Sequence, residues 1–170
     1  SSLGFYGYFI DCASLISIDV DAQNTSYSSS NGVLFNKDKS ELLVYPPGKA
    51  GHYSIPATVK ATSSYSFDNC IALTSVSIPD SVASIGEQTF DDCIELNQIF
   101  FPHSVTNIGH DAFEGCHNLT NISVDQNNAF YSSLDGALFD KPMNEIRLLP
   151  PGWIGSYTIP AGVVSIGPYA

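Results

Sequence analysis

The sequence predicts a solenoid of stacked repeats, built from short parallel strands with β-hairpin insertions and little regular helix. Three observations predict it: apolar residues recur with a period of 23, a longer unit recurs at a shift of 104, and glycine and proline punctuate both at matching places.

The short period is marked by Cys70, Cys93 and Cys116, which are evenly spaced at that interval. One unit runs Ile78-Pro79-Asp80-Ser81-Val82, Ile85-Gly86, Phe90, Cys93, Leu96 and Ile99. The next runs Phe101-Pro102, Val105, Ile108-Gly109, Ala112-Phe113, Cys116, Leu119 and Ile122. A single unit cannot enclose a core, whereas stacked copies align these residues in one apolar column sustained by nearest-neighbour contacts. Leu73-Val76-Ile78, Leu96-Ile99-Phe101 and Leu119-Ile122-Val124 each end in a period-two alternation. That pattern predicts strands over 76–78, 99–101 and 122–124, paired in parallel and about 4.8 Å apart. Pro79 and Pro102 follow two of these strands and turn the chain away. The stretches 86–93 and 109–116 lack the alternation and suit a single helical turn on the opposite side.

The long register lays Cys12 on Cys116, Tyr27 on Tyr131, Leu34-Phe35 on Leu138-Phe139, and Pro46-Pro47-Gly48 on Pro150-Pro151-Gly152. From Cys12 to Cys70 is a step of 58, one short period of 23 plus 35 more. The chain therefore divides into long units at about 12–69 and 116–170, with short units at about 70–92 and 93–115. Within each long unit two β-prone runs flank a polar loop: 32–35 and 42–45 around 36–41, and 137–139 and 146–149 around 140–145. Each reads as a hairpin that continues the sheet.

The registered string Ile-Pro-x-x-Val-x-x-Ile-Gly-x-x-Ala-Phe-x-x-Cys-x-x-Leu-x-x-Ile resembles the BspA-like leucine-rich repeat. The insertion, with Asn24, Tyr27, 32–35, Tyr45-Pro46-Pro47-Gly48 and Tyr53-Ser54-Ile55-Pro56, resembles that family's long variant. The resemblance covers nearly the whole chain and implies a leucine-rich-repeat right-handed superhelix. It also implies a secreted or cell-surface protein of host-associated bacteria or mucosal protozoa, acting in adhesion to host matrix proteins or other cells. The expected ligand is a protein or glycan on host or neighbouring cells; a structural spacer, or the substrate-recruiting repeats of a larger surface enzyme, is the alternative. Local departures are the position of Leu3-Gly4, Thr62-Ser63 in place of Ile-Gly, and Tyr8, Ser66 and Thr89 where Ala112 stands. The chain opens and closes inside a unit, so one domain over 1–170, excerpted from a longer array, is expected, with ends that associate end to end.

Composition narrows the function. Six basic residues against 17 acidic ones give a net charge of −11, with the basic residues scattered singly, which disfavours nucleic acid and anionic membranes. No apolar run approaches a membrane span, and Ser1 opens no signal-peptide pattern. Sequons begin at Asn24, Asn118 and Asn121 and matter only in a eukaryotic source.

The four cysteines occupy equivalent repeat positions, so they are expected as buried, reduced core residues and not as disulfides. His103, His110 and His117 fall at different corners of a coil and predict no metal site. No glycine elbow, phosphate loop or dinucleotide fingerprint appears, so neither catalysis nor a cofactor is expected. Asp68, Asp91 and Glu114 each stand two residues before a core cysteine and predict a solvated acidic stripe. Outward strand positions are the candidate partner-binding residues: Ser17, Asp19, Ser75, Ser77, Gln98, Phe100, Asn121 and Ser123. Phe100 is the one large apolar side chain among them and the candidate anchor.

Overall fold

The computed structural model describes residue 9, residues 12–168 and residue 170. The Leu3-Gly4 and Tyr8 departures lie outside these residues. The described chain winds into a β-solenoid of about five turns with no helix. Two strand columns run along it. On the first face, β4 (Gly51–Ser54) pairs in parallel with β6 (Leu73–Ser77), and β8 (Gln98–Phe101) pairs in parallel with β10 (Asn121–Val124). All three predicted strands are present, each beginning earlier than predicted. The parallel sheet is not continuous, however: β6 lies beside β8 without joining its ladder.

The second face holds strands that the sequence reading missed. Two-residue strands β5 (Ala61–Thr62), β7 (Ser84–Ile85) and β9 (Asn107–Ile108) form a parallel ladder at the Ile-Gly positions. Elements this short carry no periodicity to read; only stacking reveals them. The glycine after each of β7 and β9 is required by the stacking distance. A Cβ at Gly86 would collide with the backbone at Ser63 and Ser64, and one at Gly109 with that of Gly86 and Glu87.

The insertions attach to this second face, and not to the sheet of longer strands as expected. In the first long unit β1 (Tyr27–Ser30), β2 (Val33–Asn36) and β3 (Glu41–Val44) form an antiparallel meander, and β3 then pairs in parallel with β5. The second unit repeats this with β11 (Tyr131–Leu134), β12 (Ala137–Asp140) and β13 (Glu145–Leu148), followed by β14 (Ser165–Ile166). The serine-rich β1 and β11 look like loop by composition. They form strands because serine hydroxyls bind backbone: Ser28 and Ser132 donate to the carbonyls of Asn36 and Asp140, while Ser29 and Ser133 accept from the amides of Val20 and Val124.

The third side is a run of tight turns where a helical turn was expected. Left-handed backbone at Tyr65, Asn69, Gln88 and Asp92 interrupts any helix, and the amides bond the next coil instead. Tyr65, Phe67 and Asn69 donate to the carbonyls of Glu87, Thr89 and Asp91; Gln88, Phe90 and Asp92 donate to those of His110, Ala112 and Glu114.

The main core is a column running from Val33 to Leu138, and a smaller apolar cluster lies under each insertion: Leu34, Leu43 and Val44 in the first, and Ala137, Phe139 and Ile146 in the second. At its centre Tyr45, Phe67, Phe90 and Phe113 stack with successive ring centroids 5.1, 5.0 and 5.3 Å apart. Such offset stacks add about 0.5–1.5 kcal/mol per pair beyond area burial. Cys70, Cys93 and Cys116 are buried, and each thiol points at a carbonyl of the coil before it: Tyr45, Phe67 and Phe90 respectively. Burial pushes the thiols of Cys93 and Cys116 well up, so neither is a thiolate near neutrality. Cys12 contradicts the expectation of burial. It is exposed, whereas the other three are buried.

Two departures from the repeat compensate one another. Thr62 and Thr89 replace apolar residues on adjoining coils and are buried with hydroxyls 3.4 Å apart. Thr89 donates to the carbonyl of Gly86, and Thr62 accepts from its amide. Ser66 is buried with no partner for its hydroxyl.

Candidate binding face

The first strand face presents its outward residues on two adjoining strand pairs. Strand register places His52 beside Ser75 and Ser54 beside Ser77 on β4 and β6, and Gln98 beside Asn121 and Phe100 beside Ser123 on β8 and β10. Inward alternation buries Val76, Ile99, Phe101 and Ile122 beneath them, so the backbone beneath the outward residues is held by the core. Phe100 is 48% exposed among small polar side chains. Six of the eight predicted residues therefore share one surface: Ser75, Ser77, Gln98, Phe100, Asn121 and Ser123.

Ser17 and Asp19 are exposed too, but no ladder joins them to β4. Their segment lies against the turn of the first hairpin, with the Ile18 amide bonded to the carbonyl of Gly32 and the Ser17 hydroxyl bonded to Asp19 at 3.2 Å. The second hairpin borders β10 in the same way, through the Ile122 amide and the Gly136 carbonyl.

His52 and Ser54 belong to the face and were not predicted. The signal was present, because Ile55-Pro56 aligns with Ile78-Pro79 and so carries 52 and 54 onto 75 and 77. His52 is the centre of a hydroxyl network: its Nδ1 lies 2.8 Å from the Ser75 hydroxyl, and its Nε2 lies 3.0 and 3.3 Å from those of Ser54 and Ser77. The ring is thereby fixed in orientation. No carboxylate orients it among the described residues, so the network is a patterned hydrogen-bonding surface without the third member of a nucleophilic triad.

The acidic positions do not form the uniform solvated stripe expected. Asp68 is buried, Asp91 half-buried and Glu114 exposed. Desolvation, followed by the charges of Asp92, Asp68 and Glu114, raises the Asp91 carboxyl to about 6. His103 pairs with Asp80 at 3.4 Å, away from His110 and His117. Among the described residues no three His, Cys, Asp or Glu side chains converge as metal ligands.

A cleft of about 250 Å³ lies between Asp111–Glu114 and a wall that includes Arg147, Leu148 and Gly167.

This geometry has relatives. A leucine-rich repeat protein from Eubacterium ventriosum superposes with a TM-score of 0.60 at 24% identity, over 89% of this chain and 42% of that one. A leucine rich cell surface protein from Faecalibacterium prausnitzii superposes with a TM-score of 0.58 at 31% identity, over 68% of this chain and 31% of that one. The pneumococcal vaccine antigen PcpA shares the fold at a TM-score of 0.50 and 15% identity, over 90% of this chain and 54% of that one. The chain spans less than half the length of the first two. No curated protein matches it in sequence. The model of the BspA type leucine rich repeat region matches residues 49–148 in six copies, so the chain belongs to the BspA-type leucine-rich-repeat family.

Proposed function

We propose that this solenoid is a non-catalytic binding scaffold displayed at a cell surface or secreted, and that it holds a protein or glycan ligand of a host or neighbouring cell on the face around Phe100. The observation that carries the reading is the arrangement of that face. One exposed aromatic ring stands on a face whose hydroxyl, amide and imidazole groups are held by strand register within two adjoining strand pairs. An aromatic anchor with a hydrogen-bonding rim is the usual energetic layout of a binding surface, where few residues carry most of the affinity. The family and the similar cell surface protein of Faecalibacterium prausnitzii support the location.

The test is an array of host matrix proteins and surface glycans probed with the wild-type chain, Phe100→Ala and Gln98→Arg. A ligand whose binding falls about tenfold or more in both variants, with unchanged melting temperature, supports the face; the loss corresponds to a hot spot of about 1.4 kcal/mol or more. A spacer would bind nothing on the array, and binding indifferent to both substitutions would move the site elsewhere.

A further inference from the structure

The strands of the first face contain no Asp, Glu, Lys or Arg: β4 reads Gly-His-Tyr-Ser, β6 Leu-Thr-Ser-Val-Ser, β8 Gln-Ile-Phe-Phe and β10 Asn-Ile-Ser-Val. The chain as a whole has a net charge of −11, and its acidic side chains stand elsewhere. Asp68, Asp91 and Glu114 lie on the turn side, Glu41, Asp140 and Glu145 on the insertion strands, and Asp80, Glu95 and Asp125 beyond the strand ends. The polar groups left on the face are serine hydroxyls, the side-chain amides of Gln98 and Asn121, and the His52 imidazole. Each of these groups can both donate and accept a hydrogen bond.

Phe100 stands among them. Register places Ser123 beside it on β10, and the 23-residue period puts Ser77 at the same position of β6, the strand lying beside β8. Both neighbours are small, and the ring is 48% exposed between them. Two residues along the strand, a distance of about 6.6 Å, Gln98 and Asn121 lie side by side in register. Neither of their side-chain amides has a hydrogen-bond partner among the described residues. Ser75 and Ser77, by contrast, are held in place by His52. The face therefore joins one open aromatic ring to a pair of free amides, with positioned hydroxyls at its side.

We propose that the ligand of this face is a neutral oligosaccharide, one sugar ring of which stacks on Phe100 while hydroxyls of that sugar or the next bond the amides of Gln98 and Asn121. This rests on the strand face being the binding surface and narrows its ligand to one class. A sugar hydroxyl donates and accepts, as does every polar side chain listed above, so either partner of each bond can adapt. The C–H groups on the flat side of a sugar carry slight positive charge, which the negative face of an aromatic ring attracts. Sialylated or sulfated glycans are repelled by the net charge of −11 and meet no Lys or Arg on these strands. A protein partner calls for a wider apolar centre: a standard interface covers about 800 Å² on each side around several aromatic and aliphatic residues. Phe100 is the one large apolar side chain exposed on these four strands.

The probes are a printed array of neutral oligosaccharides, the sialylated and sulfated counterparts of each, and an array of matrix proteins. They are read with the wild-type chain, Phe100→Tyr, Phe100→Leu and Gln98→Met. Phe100→Leu keeps apolar bulk and removes the ring; Gln98→Met keeps the length and removes the hydrogen bonds. A neutral glycan should bind the wild type and Phe100→Tyr alike, and lose at least about fivefold in each of the other two at unchanged melting temperature. Its binding should be the same at low and high salt. If Phe100→Leu melts early, Gln98→Met carries the comparison, because a more apolar residue there leaves a protein interface intact or tightens it. The proposal is overturned if no neutral glycan binds, if anionic glycans bind and neutral ones do not, or if neutral binding is indifferent to both substitutions. A matrix protein held through Phe100 and tolerant of Gln98→Met would also overturn it while keeping the face as a binding surface; silence on every array removes the face as well.

Discussion

The two long units share a sequence register and a fold, yet the same positions meet opposite fates. In the first, Ile55, Val59 and Thr62 are buried, Ile55 and Thr62 at 4% exposure each; their counterparts Ile159 and Ile166 are 49% and 61% exposed, and Val163 is half-buried. In the second, Asn128 and Cys116 are fully buried, while Asn24 and Cys12 are exposed. The first unit has described coils packed on its later side and the second on its earlier side. Burial in a solenoid thus belongs to the pair of neighbouring coils and not to the residue.

The widest split is expected in thiol chemistry. Cys12 should react with a thiol reagent at the rate of a free cysteine, and Cys70, Cys93 and Cys116 only through opening of the coils, slower by roughly three orders of magnitude or more. Comparable rates at Cys12 and Cys116, read by mass spectrometry, would break the comparison.

Next in size is a matched pair in the core. Ile55→Ala should cost about 2–4 kcal/mol and Ile159→Ala under about 1, as read by urea melts, because only the first leaves a cavity between coils. Asn128 and Asn24 give a finer contrast. Both side-chain carbonyls accept from two following amides, at Phe130 and Tyr131 and at Ser26 and Tyr27. Asn128 alone also donates to the preceding coil, at the carbonyls of Pro102 and Val105. Asn128→Ala strands four hydrogen-bonding groups and should cost about 2–3 kcal/mol, against about 1 for Asn24→Ala.

Smallest is a pH effect at the acidic coil edges between the two units. Asp91 holds its proton up to about pH 6 when folded, against 3.8 as the ordinary value. Between these values the folded chain binds more protons than the unfolded one, so this group's contribution to stability falls as pH rises through that window. The melting temperature of the wild type should rise from pH 7 to pH 5 by more than that of Asp91→Asn; an equal rise in both would place the effect elsewhere. Self-association is a further check on the second unit. Val164 and Ile166 stand exposed on its last described coil, and Val164→Lys with Ile166→Lys should lower any concentration-dependent sedimentation of the chain.

Much of the architecture was legible because repetition multiplies weak signals. Ile99, Ile122, Leu96 and Leu119 say little singly, but recurrence at the short period places all four in one column, and all four are buried there. The same register supplied six residues of the outward face. It did not supply His52 and Ser54, although Ile55-Pro56 aligned them, because the insertion before them hid the strand.

By itself, then, the sequence determined the unit, its period, its inward side chains and the places of the hairpins, because these follow from local alternation and from what each residue type tolerates. Tertiary structure alone decided which sheet the hairpins join, where the parallel ladder breaks between β6 and β8, and which of two equivalent cysteines is exposed. Each of these depends on what stands one coil away, and strand pairing, desolvation and hydrogen-bond satisfaction are properties of that neighbour as much as of the residue itself.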